Sequence, residues 1–178
     1  QVVVAKEGKV IYQRAFGHQT YDNKIPVDNQ TIYDLASITK VVSSTASLMY
    51  LQDQKEFSLD STLGDYLGES TRGTVYGNLK MRDVMTHQAG LIPWVPFYTQ
   101  TLVNGRPDTS LYATTPFANM NSIVANNLYM RDNYEEEILK IILSNPLRSK
   151  KYKYSDLGYY FTKKIIEKTS SLPLDEFV

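Results

Sequence analysis

A stretch from residue 35 to residue 54 sets the strongest condition on the fold, because it predicts a helix that is apolar on more than one side. Lys40 and Asp53 are the only charged residues in it. Small residues such as Ser43 and Ala46 would let neighbouring elements pack closely against it. A helix that is apolar nearly all round is usually buried in the core. We therefore expect this helix to be central, with an unusual lysine near its start.

The remaining elements predict a mixed architecture. Residues 1–17 are rich in β-branched side chains on either side of a turn, which predicts a hairpin. Residues 79–87, 134–144 and 157–169 have the periodicity of amphipathic helices. Proline and asparagine punctuate residues 92–133, where regular periodicity is weak, and such a long irregular stretch is typical of a lid-like insertion. The sequence therefore predicts an α+β fold.

Composition excludes several classes of function. The chain has no cysteine, so disulfides, thiolate catalysis and cysteine-based metal centres are ruled out. Its two histidines, His18 and His87, are far apart and form no HExxH spacing, so we expect no metal site and no cofactor. Equal numbers of basic and acidic residues, 19 each, argue against a nucleic-acid partner. No apolar run is long enough for a membrane span.

The start of the predicted central helix contains a spacing that suits nucleophilic catalysis. Ser37 and Lys40 are three residues apart, which places two side chains on one face of a helix. Burial lowers the pKa of a lysine, so a buried Lys40 could accept the proton of the Ser37 hydroxyl. A backbone N–H at a helix start can also stabilise an oxyanion. The spacing alone equally fits a helix-capping serine beside a lysine whose ammonium reaches solvent.

A third catalytic group would be a tyrosine followed two residues later by Asn or Asp. Tyr21, Tyr76 and Tyr154 all satisfy that spacing. Tyr154 is favoured because it lies in a loop immediately before a predicted helix, where a side chain can be directed at a cleft. The alternative for Tyr154 is a half-buried core residue whose hydroxyl binds a backbone carbonyl.

Four segments in order give the sequence a family resemblance. They are Ile32–Lys40, Phe57–Asp60 followed by Asp65–Leu67, Met81–Leu91, and Lys153–Tyr159. Together they resemble the serine β-lactamase and penicillin-binding-protein superfamily, in the branch of class C β-lactamases, D-alanyl-D-alanine carboxypeptidases and related esterases. The resemblance implies a β-lactamase/transpeptidase-like fold, in which a helical region lies beside an antiparallel sheet. It also implies a periplasmic or cell-envelope location.

The resemblance assigns a role to each matching residue. Ser37 would be the acylated nucleophile, and its backbone N–H would form half of the oxyanion hole. Lys40 would be the proton partner of the serine, and Tyr154 a second general acid or base. Asp156 stands where many members have an asparagine that binds the substrate, so an acid there could alter the protonation of the lysine. Trp94 could line the substrate rim together with Phe97 and Tyr98, or these side chains could pack onto the helices.

The family completes its site with a Lys/His-Thr/Ser-Gly strand, and residues 1–178 contain no such motif. We therefore expect a partial domain without the C-terminal strands, whose hairpin edge is covered by another chain or domain. The function implied is acyl transfer from an amide or ester, on a small molecule or a peptidoglycan-like peptide. The alternative is a non-catalytic or inactive β-lactamase-like binding module.

Two further features carry less specific predictions. His87 lies in the third matching segment, and we expect a hydrogen-bonded turn residue rather than a catalytic one. Arg148, Lys150, Lys151 and Lys153 form a basic cluster just before Tyr154. Such a cluster is usually a solvated loop, although it could attract an anionic substrate.

Overall fold

The valine-rich start of the chain forms a hairpin in the computed structural model, which describes all 178 residues. Strands β1 (Val2–Lys6) and β2 (Lys9–Arg14) pair antiparallel, as the sequence predicts. Glu7 and Gly8 have φ values of 51° and 75°, and two positive values are what a type I′ turn requires. The hairpin belongs to a unit of residues 1–38, the N-terminal unit, in which no residue is buried.

Residues 39–178 form a second unit, the helical unit. A π-helical segment, Lys40–Thr45, leads into its first α-helix. The α-helices are α1 (Ala46–Asp53), α2 (Leu63–Leu67), α3 (Met81–Met85), α4 (Tyr134–Ser144), α5 (Leu157–Ser170) and α6 (Leu174–Phe177). Single 3₁₀ turns cover Gly68–Ser70 and Phe97–Thr101. None of these helices has the length and apolar character needed to cross a membrane.

Helix α5 is the central element of the helical unit. Leu157, Phe161 and Ile165, which are four residues apart, are completely buried and contribute to a single apolar core. Helix α3 lies close to α5 at Gly158. A Cβ atom at this position would be only 3.0 Å from Val84 Cγ1. This core fixes the start of α5, and therefore also the loop that precedes it.

Within residues 1–178 the helix predicted to be central is buried on one side only, and burial of its other faces stays a prediction. Leu48 and Leu51 face the core, where α1 packs against α5. Val41 and Met49, by contrast, are 60% and 69% exposed. A helix buries only the face that its neighbours cover, and apolar periodicity does not report how many neighbours there are.

The region predicted to be irregular, residues 92–133, contains two small antiparallel sheets. Strands β3 (Leu102–Val103) and β4 (Arg106–Pro107) form one of them. The other has the order β5-β7-β6, with β5 at Tyr112–Ala113, β6 at Ser122–Ala125 and β7 at Leu128–Met130. Strands of two to four residues are too short for a period-two pattern to be detected, which explains the difference. The role of this region as a lid stays a prediction.

Candidate active site

Three of the predicted site residues meet in the helical unit and form the lysine cluster, which consists of Lys40, Tyr154 and Asp156. Lys40 is the first residue of the π-helical segment, and its side chain is only 20% exposed. Its ammonium lies 2.8 Å from Asp156 Oδ1. The Lys40 ammonium also lies over the ring of Tyr154, with the nitrogen 5.6 Å from the ring centroid. π-helical turns are rare and occur frequently at functional sites.

The charge of Lys40 differs from the sequence-based expectation. Desolvation by itself lowers the pKa of Lys40, but the hydrogen bonds and charges of Asp156 and Tyr154 outweigh it. The net pKa is raised above its ordinary value of 10.5, so Lys40 is an ammonium at neutral pH. The expectation of a lysine with a lowered pKa is therefore wrong, because it considered burial without the carboxylate three ångströms away.

The loop before α5 that carries Tyr154, residues 153–156, is called the tyrosine loop. His87 binds this loop through both its backbone and its side chain. Its carbonyl accepts a hydrogen bond from the Lys153 backbone N–H (2.9 Å), and its Nδ1 accepts one from the Ser155 backbone N–H (3.2 Å). Its ring also packs on Tyr154, with 4.5 Å between centroids. The prediction of a hydrogen-bonded turn residue is confirmed. What sequence reasoning missed is that His87 clamps both neighbours of Tyr154.

The hydrogen bond from Ser155 requires an unprotonated Nδ1 on His87. Burial lowers the pKa of His87, and the positive charge of Lys40 lowers it further, while the charge of Asp156 acts in the opposite direction. The net pKa lies below its ordinary value of 6.5. The loop before α5 is therefore held by a neutral imidazole at neutral pH.

Ser155 attaches the same loop to the segment after α3. It is 1% exposed, and its hydroxyl donates to the Ile92 carbonyl (2.6 Å) and accepts from the Leu157 backbone N–H (3.2 Å). The Asp156 backbone N–H donates to the Pro93 carbonyl (2.8 Å). These contacts fix the direction of Asp156 toward Lys40. The only sequence signal for them is the placing of a small hydroxyl residue between Tyr154 and Asp156.

Ser37 belongs to the N-terminal unit and lies in the turn before the helix rather than within it. The Ile38 N–H donates to the Leu35 carbonyl (2.9 Å), and the Ala36 N–H donates to Asp34 Oδ1 (2.8 Å). Ala36 has a φ of 45°, in the left-handed region that favours glycine. Such strain is concentrated at functional positions. Ser37 therefore directly follows a residue with left-handed backbone geometry and stands three positions before Lys40.

The structure separates Tyr154 from the other two tyrosines that share its spacing. Tyr21 is fully exposed in the N-terminal unit. Tyr76 is buried in the core, and its hydroxyl donates to the carbonyls of Ile142 and Asn145, each at 2.8 Å. Tyr76 thus has the structural role that was the alternative for Tyr154. Tyr154 is the one of the three that contacts Lys40.

The aromatic residues after α3 have different environments. Phe97 is buried, with its ring edge-on to Tyr160 at 5.2 Å. Trp94 and Tyr98 are 58% and 63% exposed. Trp94 lines a cleft beside the tyrosine loop. Of the two alternatives for these aromatics, packing applies to Phe97, while Trp94 is available to a ligand.

Comparison with known proteins identifies the class to which this fold and site belong. The family model described as Beta-lactamase matches residues 1–178. The chain therefore belongs to this family, within the serine β-lactamase and penicillin-binding-protein superfamily, whose members are hydrolases.

Individual relatives agree with this assignment. The chain is 26% identical over 192 residues to a putative D-alanyl-D-alanine carboxypeptidase of Escherichia coli K12, covering 99% of this chain and 39% of the relative. It is 28% identical over 190 residues to an N-acetylmuramyl-L-alanine amidase of Bacillus subtilis 168, covering 99% and 38%. The chain thus spans about two fifths of the length of these relatives.

A solved structure confirms the fold class. EstCE1, a hydrolase with promiscuous acyltransferase activity, superposes with a TM-score of 0.63 at 22% identity. The match covers 98% of this chain and 43% of that protein. The predicted β-lactamase-like fold, represented in part by this chain, is therefore confirmed.

Proposed function

We propose that this chain supplies the nucleophile, the lysine and the tyrosine of a serine hydrolase that transfers the acyl group of an amide or ester. Ser37 is the nucleophile, and Lys40 and Tyr154 carry its proton. The observation that supports this most strongly is the lysine cluster. Lys40, three residues after Ser37 in the sequence, lies 2.8 Å from Asp156 Oδ1 and 5.6 Å from the centroid of the Tyr154 ring. Partial burial of a lysine beside a tyrosine and a carboxylate is typical of functional sites.

The proposed reaction follows from the protons of the lysine cluster. Ser37 Oγ bonds to the substrate carbonyl carbon, and its proton moves to the Lys40–Tyr154 pair, which has first lost one proton to solvent. The pair then protonates the leaving amine or alkoxide as the carbonyl re-forms on Ser37. In the second half, water bonds to the acyl carbon and gives its proton to the pair. The pair then returns a proton to Ser37 Oγ as the ester bond breaks and the acid leaves. The backbone N–H of Ser37 stabilises the oxyanion in both halves.

Asp156 opposes the activation of this pair. Its carboxylate raises the pKa of Lys40 and so favours the protonated ammonium. Activity should therefore increase toward alkaline pH. Asp156 also lacks the N–H donor that an asparagine would offer to a substrate amide. For both reasons we favour a carboxypeptidase or esterase over an efficient β-lactamase.

The substrate class that we propose is a small ester or a peptidoglycan-like peptide. The names of the two relatives, a putative D-alanyl-D-alanine carboxypeptidase and an N-acetylmuramyl-L-alanine amidase, support a substrate of this kind. A location in the periplasm or cell envelope would follow from such a substrate.

Covalent labelling tests the proposal directly. The protein is incubated with a fluorophosphonate and, separately, with a penicillin, and its intact mass is measured. We expect one adduct with the fluorophosphonate, lost in Ser37→Ala and kept in the neighbouring control Ser43→Ala. An adduct that persists in Ser37→Ala would contradict the assignment of Ser37 as the nucleophile. No adduct at all would support the non-catalytic or inactive binding module. Turnover of p-nitrophenyl esters, a D-alanyl-D-alanine peptide and nitrocefin then ranks the substrates, and fastest turnover of nitrocefin would reverse our order.

A further inference from the structure

A cleft of about 640 Å³ lies beside the tyrosine loop. One wall consists of residues 90–94, and the other of Arg148, Ser149 and residues 151–153. The same two chain segments continue into the backbone contacts that hold Tyr154 and Asp156, so the cleft adjoins the loop that carries them. We refer to it as the basic cleft.

The walls of the basic cleft are held together by backbone contacts. The Arg148 N–H donates to the Gly90 carbonyl at 2.7 Å. Gly90 has a φ of +79°, and a side chain there would collide with the Arg148 carbonyl, so the two walls meet at van der Waals distance. At the other end, the Asp156 N–H donates to the Pro93 carbonyl at 2.8 Å. The cleft is therefore formed before any ligand binds, which reduces the entropy cost of binding.

The charges that line the basic cleft are not neutralised. Arg148, Lys151 and Lys153 line it, and none of them forms a salt bridge with a carboxylate. The adjacent Lys150, which does not line the cleft, pairs with Asp83 at 2.8 Å. Three cations within six residues repel one another, and a bound anion would relieve that repulsion. In this loop one lysine, Lys150, is paired with a carboxylate, and the three cations that line the cleft are available to a ligand.

Two aromatic side chains add apolar surface to these cations. Trp94 and Tyr152 line the cleft on opposite walls and are 58% and 71% exposed. Exposed aromatic rings beside convergent polar groups are typical of ligand sites. An inorganic anion would leave both rings in water, whereas an organic acid would cover them.

We propose that the basic cleft is a subsite for a carboxylate-bearing extension of the substrate, and that an acidic peptide fits it best. The carboxylate pairs with Arg148, Lys151 or Lys153, and the adjoining peptide covers Trp94 and Tyr152. This inference rests on the proposed function only in identifying the bound peptide as part of the substrate. The binding of an acidic peptide in the cleft is independent of Ser37 chemistry.

The test uses two acetylated peptides that end in D-alanyl-D-alanine and differ only by a Glu or a Gln. Binding is measured in Ser37→Ala, so that neither peptide is consumed. Trp94 is the only tryptophan of the chain, so its fluorescence reports from the cleft itself. We expect the Glu peptide to bind about threefold to tenfold more tightly, the factor that one or two exposed ion pairs give. Added salt should reduce this preference.

Lys151→Gln and Lys150→Gln provide a matched pair of variants, since both remove one positive charge from the same loop. The preference for Glu should decrease in Lys151→Gln and in Lys153→Gln, and should remain in Lys150→Gln. Equal binding of the two peptides, an equal loss in Lys150→Gln, or no binding of either peptide would each overturn the inference. Fluorophosphonate labelling of Ser37 is scored separately, so the cleft and the hydrolase assignment can fail independently.

Discussion

The N-terminal unit and the helical unit differ in how many side chains they bury. Residues 1–38 bury no side chain, and local features, above all the type I′ turn at Glu7–Gly8, define their hairpin. Residues 39–178 contain an apolar core in which Phe161 and Ile165 are completely buried. Within these 178 residues the hairpin is therefore defined by local pairing, whereas the positions of proposed catalytic groups such as Tyr154 depend on an apolar core.

This difference also divides the proposed catalytic residues. Ser37 lies in the N-terminal unit, in a turn made by short-range hydrogen bonds. Lys40, Tyr154 and Asp156 lie in the helical unit, where contacts between distant segments bring them together. Substitutions of the same residue type in each unit therefore measure what each unit contributes.

The largest difference is expected for one buried and one exposed isoleucine. Ile165→Ala in α5 should lower the free energy of unfolding by about 2–5 kcal/mol, because it leaves a cavity in the core. Ile11→Ala in β2, where the side chain is 63% exposed, should change it by about 0.5 kcal/mol or less. Urea unfolding followed by circular dichroism measures both. Equal effects would show that the hairpin is as tightly packed as the core.

A smaller difference is expected for two tyrosine hydroxyls. Tyr76→Phe removes the donor shared by the carbonyls of Ile142 and Asn145 and should cost about 1–3 kcal/mol. Tyr21→Phe removes a fully exposed hydroxyl and should be neutral. The same urea measurement compares them. A neutral Tyr76→Phe would mean that water replaces the lost donor.

His87 should make the stability of the helical unit depend on pH. The pKa of His87 is below 6.5 in the folded chain, so as pH falls the unfolded chain binds the proton first. His87 therefore contributes its full stability above pH 6.5 and loses it between that pH and its lowered pKa, by at most about 1.4 kcal/mol per pH unit.

Urea midpoints from neutral to mildly acidic pH measure this dependence. His87→Gln should flatten the curve relative to the unsubstituted chain. The imidazole NMR signals of His87 should titrate below its ordinary pKa of 6.5. A slope that survives in His87→Gln would assign the dependence to other groups.

The smallest effect is expected for two aspartates, because the Lys40–Asp156 pair is partly exposed to solvent. Asp156→Asn removes the charge that raises the pKa of Lys40 and leaves the desolvation that lowers it. The rate of fluorophosphonate labelling should then reach its alkaline plateau at lower pH. Asp34→Asn, which retains the oxygen that binds the Ala36 N–H, is the control and should not move the profile. A profile unchanged in Asp156→Asn would exclude Lys40 and Tyr154 from the activation step.

Much of the fold could be predicted from local pattern. The helix predicted at 134–144 is observed at Tyr134–Ser144, and the one predicted at 157–169 at Leu157–Ser170, because each has a clear apolar stripe and a stop signal. The short strands between residues 102 and 130 were missed, since strands of so few residues carry no detectable period.

The candidate site could be predicted in part. The spacing of Ser37, Lys40 and Tyr154 and the four family segments are visible in the sequence, and family membership is confirmed. The ion pair of Lys40 with Asp156 was not predicted as such, although Asp156 was expected to affect the lysine. These residues are more than one hundred positions apart, so no local period connects them.

The sequence by itself determined the family, the hairpin, the helical segments and the candidate nucleophile motif, because each of these depends on neighbouring residues or on ordered motifs. Only the tertiary structure decided which face of the first helix is buried, which tyrosine contacts Lys40, and what sign the shift in the pKa of Lys40 has. Burial and electrostatics depend on distances between groups that are remote in sequence. The packing of α5 fixes those distances, and residue spacing alone does not.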